Sequence, residues 1–197
     1  MSSLLLLGNG ESRQGIDINL INMYKVGCNA IYRDFYVDEL VCVDRRMVIE
    51  ACENGYTNTV YTRPNWAKHF KSKYPNVTEV PKLPYEGTQR HDDPFHWGSG
   101  PYAVLLGAKL SVGKIIKLIG FDLYSKDSKV NNIYKDTKNY AAADSRSVDP
   151  KYWIQQIARI FSIYKSRQFK IYQSADWQVP ESWKQPNVEV DKISNIM

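Results

Sequence analysis

The fold is decided by Leu4-Leu5-Leu6-Leu7-Gly8-Asn9-Gly10-Glu11-Ser12, an apolar run that leads directly into a turn bracketed by two glycines. A short apolar run that ends in turn residues is typical of a buried β-strand. Two glycines two positions apart let the backbone turn sharply and approach a ligand without a clash at Cβ. A loop of this kind after the first strand of an α/β sheet lies where nucleotide phosphates usually bind. An ordinary strand-to-helix turn is the alternative, because position 13 is Arg13 and the full glycine fingerprint of dinucleotide-binding proteins is absent.

Composition and length limit the class of protein. The chain has 197 residues, 43% of them hydrophobic, which suits one well-packed domain and is short for two. Its net charge of +5 is spread along the chain, so it favours an anionic ligand slightly and does not indicate specific nucleic-acid binding. The three cysteines lack metal-ligand spacing, and Leu4–Leu7 is too short for a signal sequence or a membrane span. These features predict a cytoplasmic protein with reduced thiols and no transmembrane segment.

Strand-like and helix-like segments alternate along the chain. Strands are predicted at residues 4–7, 25–31, 40–44, 59–62, 114–121 and 169–172. Helices are predicted at residues 45–53, 65–73, 99–110 and 152–164, with Ser99 or Gly100 as the cap of the third. The alternation indicates an α/β fold with one Rossmann-like domain over residues 1–178 and a mostly parallel sheet with helices on both faces. Leu4–Leu7 and Ile115–Ile119 are expected to be neighbouring central strands.

Three segments fall outside this pattern. Residues 81–98 and 124–149 are polar and aromatic and are long for plain connections, so both are candidate substrate loops, the second as a lid. Residues 179–197 are polar with two prolines and are predicted to form a C-terminal strap or a loose tail.

Four stretches, in order, carry a family resemblance. Gly8-Asn9-Gly10-x-Ser12 is like a GNGPS loop, and Cys28-Asn29-x-Ile31-Tyr32-x-Asp34 is like a CNxFYxE/D segment. Ser99-Gly100-x-Tyr102 opens a small-residue helix that leads to Ile119-Gly120-Phe121-Asp122-Leu123-Tyr124, like SGxY followed by SGIDFY. Ile133-Tyr134-Lys135-Asp136-Thr137-Lys138 is like a YxFDTK-type segment. Over about residues 4–173 the chain resembles the bacterial sialyltransferase family of the Campylobacter lipooligosaccharide enzymes, and also a wider Rossmann-like group that includes archaeal pterin pyrophosphokinases.

The resemblance implies a nucleotide site, and the chemistry of the residues agrees with it. Asn9 and Asn29 offer amides that can read a cytosine edge, a ribose hydroxyl or a phosphate, and Ser99 and Gly100 open a helix whose N–H groups suit an anion. Asp44 and Asp122 each end a predicted strand, where open α/β sheets bind ligands. In the alternative reading, the two asparagines satisfy turns, Ser99 caps a helix and Asp122 caps the next turn. The candidate nucleotide-binding residues are Gly8, Asn9, Gly10, Asn29, Ser99, Gly100 and Asp122.

Two tyrosines are the candidate catalytic hydrogen-bond donors. In the family, two tyrosines near these motifs hold the leaving phosphate without a metal, and the resemblance assigns this role to Tyr124 and Tyr134. A phenol that donates to charge developing on the leaving oxygen stabilises the transition state. The pair is spaced further apart here than in the family.

The general base departs from the family pattern. The family has a His before its last long helix, and this position falls at Val148, which cannot transfer a proton. Asp149, His91 and His96 are possible substitutes, and His96 is predicted because it adjoins the Ser99 helix start and imidazole titrates near neutral pH. Loss of a general base costs roughly 10²–10⁴-fold in rate, so this position separates an enzyme from a binding protein.

Acidic residues raise the question of a metal. Glu11 replaces a proline in the first loop, where a carboxylate repels phosphate unless it points away or meets a metal. His91-Asp92-Asp93-x-x-His96 could bind a divalent cation or supply acid–base chemistry, although a solvated loop explains the same residues.

Three functions follow from these observations. The first is a sialyltransferase-like glycosyltransferase that uses a CMP-activated sugar and transfers it with inversion to a glycan acceptor, with no required cofactor. The second is a non-catalytic nucleotide-binding or interaction protein on the same fold. The third is a pyrophosphotransferase that requires magnesium. The sequence leaves the sugar, the acceptor and the oligomeric state open.

Overall fold

The central strand of the structure is Leu4–Leu7, whose four side chains are all buried. The computed structural model, which describes residues 3–113 and 115–196, places this strand in a sheet of eight parallel strands. In chain order the strands are β1 (Leu4–Leu7), β2 (Tyr24–Cys28), β3 (Glu39–Val41), β4 (Thr59–Thr62), β5 (Val77–Glu79), β6 (Ile115–Ile119), β7 (Gln168–Gln173) and β8 (Val188–Lys192). Their spatial order is β5-β4-β3-β2-β1-β6-β7-β8, so the chain crosses from one half of the sheet to the other after β5.

Helices cover both faces of this sheet. They are α1 (Arg45–Glu53), α2 (Pro64–Phe70), α3 (Ser99–Leu110) and α4 (Lys151–Ile163). Side chains alternate along a strand, so Leu4 and Leu6 pack in one core with α3 and α4, whereas Leu5 and Leu7 pack in a second core with α1 and α2. A strand buried on both faces reads as a continuous apolar run, which explains the four consecutive leucines.

The predicted core of the sheet is confirmed. Leu4 lies opposite Ile116 and Leu7 opposite Ile119, so β1 and β6 are parallel neighbours. The predicted ranges of β4, α1 and α3 coincide with the observed ones. The predicted strand 25–31 ends early at Cys28, because Asn29 adopts φ +51° and starts a 3₁₀ turn. Lys114, the predicted start of β6, lies outside the described residues, as do the ends of the chain at positions 1, 2 and 197.

Residues 179–196, predicted as a C-terminal strap or a loose tail, pack into the fold. Strand β8 pairs with β7 at the edge of the sheet, and Trp183 and Ile196 are buried. The polar sequence of β8 reflects its edge position, where its side chains remain partly or fully exposed. Strand β5 at the opposite edge is three residues long and was not predicted. Among the described helices, none has the length and apolar character needed to span a membrane.

The predicted lid, residues 124–149, lies over the carboxyl ends of the strands and is anchored to α1. Glu50 of α1 is buried, and its carboxylate accepts hydrogen bonds from Tyr32, Arg33 and the lid residue Asn139, at 2.6–2.7 Å. Arg33 also donates to Thr137 Oγ1 of the lid. The lid is therefore tied to the fold by charge-assisted hydrogen bonds rather than by a strand or helix of its own.

Protonation of the Glu50 carboxylate would weaken these hydrogen bonds, so the attachment of the lid depends on pH. Burial alone would raise the pKa of Glu50, but the hydrogen bonds from Tyr32, Arg33 and Asn139 outweigh it and leave the pKa below its ordinary value of 4.5. A carboxylate whose pKa is lower in the folded state contributes stability that is present above the ordinary value and is lost as the pH falls through the folded value.

We expect the lid to loosen in acid, and Glu50→Gln to remove part of this response. The free energy of unfolding of the wild type should fall more steeply than that of Glu50→Gln between about pH 6 and about pH 3, because only the wild type has a Glu50 carboxylate to protonate. Chemical denaturation at several pH values measures this, and limited proteolysis of the lid reports the loosening. Glu181→Gln, an exposed carboxylate change outside the lid, is the control. Parallel profiles for wild type and Glu50→Gln would contradict the prediction.

The first loop and the end of β6 approach each other through two glycines. Gly8 N donates to the Ile119 carbonyl and Gly10 N to the Gly120 carbonyl, both at 2.9 Å. A Cβ on Gly8 would lie 2.3 Å from the Gly120 carbonyl oxygen, and Gly120 has φ +72°, which favours glycine. The clash at Gly8 is with backbone, so a side chain there cannot be accommodated by a rotamer change.

Gly8→Ala should therefore lower the free energy of unfolding by about 1–3 kcal/mol, the usual range for overpacking. Urea denaturation of the full chain measures the change. Gly100→Ala is the matched control, since its Cβ would have only Phe121 nearby, at an ordinary 3.6 Å, and alanine favours the helix. A Gly8→Ala protein as stable as the wild type would refute the close approach.

Candidate functional site

All seven predicted nucleotide-binding residues line one cavity of about 330 Å³, which we call the smaller cavity. It lies where the first loop, the residues after β2 and β6, and the start of α3 meet. Asp44, the N-cap of α1 and the other predicted strand-end carboxylate, also lines it. Other parts of its wall were not predicted, namely Asn131 and Asn132 of the lid and Trp153 and Ile157 of α4. Trp153 and Ile157 are four residues apart on the apolar face of a predicted helix, a signal that also fits ordinary core packing.

Asn29 and Ser99 are joined by a hydrogen bond across the smaller cavity wall. Ser99 Oγ donates to Asn29 Oδ1 at 2.8 Å and accepts from the Val43 backbone N–H at 3.1 Å. Gly98 is the N-cap of α3 and Ser99 is its first helical residue, so Ser99 does not cap the helix as predicted. Because the amide oxygen of Asn29 accepts from Ser99, the NH₂ group remains as the donor of this cavity-lining side chain.

Hydrogen bonds to other parts of the protein fix the side chain of Asn9, so it is not free to bind a ligand with its amide group. Its Nδ2 donates to the Cys28 carbonyl at 3.0 Å and to the Tyr140 hydroxyl at 3.3 Å, and its Oδ1 accepts from Arg13 at 3.4 Å. Both amide hydrogens therefore have protein partners. The side chain ties the first loop to β2 and to the lid, which makes Asn9 part of the cavity wall.

Asp122 joins the end of β6 to the first loop. Its carboxylate accepts from the Ser12 backbone N–H at 2.8 Å, from the Ser12 hydroxyl and from Gln173 Nε2 at 3.1 Å. Its carbonyl accepts from the indole of Trp177 at 2.8 Å. A Cβ on Gly10 would clash with this carboxylate, so the second glycine of the loop is required by Asp122. The carboxylate is already hydrogen-bonded, and it holds the loop beside the cavity.

A larger cavity of about 1020 Å³ adjoins the smaller one, and Asp122 and Asn131 line both. Tyr124 and Trp177 give it two aromatic walls, and Tyr124 is 38% exposed. Glu11 also lines the larger cavity and forms an ion pair with Lys135 at 2.5 Å, which raises the pKa of Lys135. The carboxylate of Glu11 thus points away from the smaller cavity and meets a lysine.

Tyr134 and His96 do not line either cavity. Tyr134 is 4% exposed, its hydroxyl donates to Asp34 Oδ2 at 2.7 Å and accepts from Arg13 at 3.2 Å, and its burial raises the pKa of the phenol to about 12. His96 Nε2 accepts from Arg90 at 3.3 Å. The structure thus brings together the predicted nucleotide residues but separates these two predicted catalytic side chains from them.

Two further predictions concern Val148, at the position of the family His, and the candidate metal segment at residues 91–96. Val148 is 64% exposed. His91 Nε2 lies 3.6 Å from Asp92 Oδ1. Within residues 3–113 and 115–196, no three or more His, Cys, Asp or Glu side chains are grouped so that they could hold a metal ion.

Comparison with known proteins gives two structural matches. No protein-family model matches the sequence, and no curated protein matches it significantly. A structure of the sialyltransferase CstII from Campylobacter jejuni in complex with the substrate analogue cytidine-5′-monophosphate has a TM-score of 0.55 at 16% identity, over 96% of this chain and 85% of that one. A variant of the sialyltransferase CST-II in complex with CMP has a TM-score of 0.50 at 17% identity, over 87% of this chain and 81% of that one. The chain therefore has the α/β fold of these sialyltransferases.

Proposed function

We propose that this chain binds CMP, or a CMP-activated sugar, in the smaller cavity and acts as a sialyltransferase-like glycosyltransferase. One observation carries the proposal: seven residues chosen from separate segments of the sequence line a single cavity on a fold shared with CMP-bound sialyltransferases. Such a convergence at the carboxyl ends of parallel strands is the usual position of a ligand site in open α/β sheets.

The chemistry of the cavity wall suits a nucleotide. The NH₂ group of Asn29 can donate to an oxygen of the base or ribose, and the carboxylate of Asp44 can accept from an amino group or a hydroxyl. Phe121 and Trp153 supply apolar surface for the base. Ser99 and Gly100 line the cavity at the start of α3, and the free N–H groups of a helix's first turn can hold a phosphate.

The transfer step needs a second substrate and a proton acceptor. In an inverting transfer the acceptor hydroxyl attacks the anomeric carbon, the bond from this carbon to the phosphate oxygen breaks, CMP leaves, and a base takes the hydroxyl proton. The larger cavity adjoins the smaller one and has room for an acceptor. Tyr124 follows Leu123 of the smaller cavity wall and lines the larger cavity, so it lies beside the boundary where a leaving phosphate would be stabilised.

A non-catalytic nucleotide-binding protein is the second candidate function. The observation that favours it is the absence of a histidine from the lining of both cavities among the described residues, together with Val148 at the family base position. His96 as substitute base remains a prediction, and His96→Ala tests it by the loss of the acidic limb of the rate profile along with most activity.

Asn29→Ala should weaken CMP binding by about 1–3 kcal/mol, because a polar partner of the ligand is left unpaired. Isothermal titration calorimetry with CMP measures the change. Asn19→Ala removes an exposed asparagine outside the cavity and should bind CMP as the wild type does. Wild type that binds no CMP at millimolar concentration would refute the nucleotide site.

Tyr124→Phe should lower kcat about 10²-fold or more with little change in KM, because the lost hydrogen bond strengthens only as the sugar–phosphate bond breaks. Transfer from a CMP-activated sugar to a glycan acceptor is the assay. Tyr36→Phe, on an exposed tyrosine away from both cavities, is the matched control. Equal rates for Tyr124→Phe and the control would remove Tyr124 from the mechanism.

A thermal-shift screen separates the candidate functions. Stabilisation by CMP without magnesium supports a CMP-dependent function, whereas stabilisation by ATP only with magnesium supports a pyrophosphotransferase. If CMP stabilises the chain but no CMP-activated sugar is turned over, the non-catalytic function is favoured.

A further inference from the structure

The smaller cavity lacks a cation in its wall. Among the described residues that line it, no Lys or Arg occurs, whereas the carboxylates of Asp44 and Asp122 both do. Asp44 forms an ion pair with Arg46 at 2.8 Å, but the hydrogen-bond partners of Asp122, Ser12 and Gln173, are neutral, so the Asp122 carboxylate would repel a phosphate. A ligand with a phosphate therefore needs a further source of positive charge close to this wall.

Arg13 is a buried cation directly behind this wall. It is 2% exposed, and its Nε donates to the Gly8 carbonyl at 2.7 Å while its Nη2 donates to Asn9 Oδ1 at 3.4 Å. Gly8 and Asn9 both line the smaller cavity. The guanidinium is thus separated from the cavity only by the backbone and side chain of the first loop.

The partners of Arg13 are neutral. They are the Gly8 carbonyl, the Asn9 amide oxygen and the Tyr134 hydroxyl, and the rings of Phe35 and Tyr134 lie 5.9 and 5.7 Å from its guanidinium carbon. Within the described part of the chain, no carboxylate lies within 4.0 Å of Arg13. Asp34 is connected to it only through the Tyr134 hydroxyl and is exposed to solvent. A buried charge without an oppositely charged partner is costly in free energy, and packing alone does not explain why an arginine stands at this position.

We propose that Arg13 supplies, from behind residues 8–10, the positive charge that makes the smaller cavity select a phosphorylated ligand over the corresponding nucleoside. The inference rests on the proposed function and goes beyond it, because it assigns phosphate selectivity to a residue that does not touch the ligand. Arg13 is a positioning and electrostatic residue: it holds Gly8 and Asn9 in place and projects its charge through them.

The charge of Arg13 already acts on the cavity wall. Cys28 lines the smaller cavity, and although burial raises the pKa of its thiol to about 12, the Arg13 charge acts in the opposite direction. An anion in the cavity would be favoured by the same field, which is little screened because the guanidinium is buried.

The test compares the dissociation constants of CMP and cytidine, which differ only in the phosphate, by calorimetry on the full chain. The wild type should bind CMP roughly 10-fold or more tighter than cytidine. Arg13→Met should reduce this ratio towards one with a smaller effect on cytidine, Arg13→Lys should keep most of it, and Tyr134→Phe, which retains the charge, should keep it as well. Equal weakening of CMP and cytidine by Arg13→Met would show a structural role only and overturn the proposal.

A second variant keeps the test decisive if Arg13→Met does not fold. Arg13→Gln removes the charge but keeps an amide that can donate to the Gly8 carbonyl, so the ratio of CMP to cytidine affinity should again fall towards one, and an unchanged ratio would overturn the proposal. Thermal shifts with inorganic pyrophosphate separate this inference from the proposed function. If the wild type binds pyrophosphate but not CMP, and Arg13→Lys keeps the thermal shift while Arg13→Met or Arg13→Gln reduces it, the proposed function fails and the role of Arg13 stands. If CMP binds with a ratio insensitive to these variants, the reverse holds, and a wild type that binds no phosphate-bearing ligand overturns both.

Discussion

The close backbone approach of Gly8 and Gly120 is the constraint on which the rest of the structure depends. Strands β1 and β6 are neighbours, and the loops that follow them pass so closely that a Cβ at either glycine would clash with the backbone of the other. The same approach brings Asp122 against Ser12, and the carboxylate then holds the first loop through two hydrogen bonds. The floor of the smaller cavity is thus made of backbone fixed by sterics, which suits a site that must be formed before a ligand arrives.

The lid supplies a further wall of the smaller cavity, and polar contacts hold the lid in place. The Tyr140 hydroxyl accepts from both Asn9 Nδ2 and the Ala30 backbone N–H, which joins the lid to the first loop and to the turn after β2. At the other side, Asn139 donates to the buried Glu50 carboxylate. Because Asn131 and Asn132 belong to the same segment and line the cavity, the shape of the site depends on these anchors at a distance from it.

The two departures from the family pattern have different consequences. Glu11, in place of a proline, points into the larger cavity and pairs with Lys135, so it does not oppose a phosphate in the smaller one. Val148, in place of a histidine, is exposed and supplies no group that can carry a proton. The residues proposed to bind a nucleotide line one cavity in this chain, whereas the position that corresponds to the family histidine is a valine. A fold can keep a binding site without a catalytic one, because the two sites use different side chains.

The sequence by itself determined the elements whose signals are local. Three elements were predicted because each of their patterns is contained in a few consecutive residues. They are β1 with its four leucines, α1, which follows Asp44, and α3 with its small residues. The edge strands β5 and β8 were missed because their polar sequences form strands only through pairing with a neighbour. Only the tertiary structure decided which polar side chains were left for a ligand. Partners 100 or more residues away in the chain occupy one Asn9 donor and the Tyr134 hydroxyl, and no local pattern encodes such distant hydrogen bonds. Asn29, which lines the cavity, uses its amide oxygen to accept from Ser99 and keeps its NH₂ group as a donor.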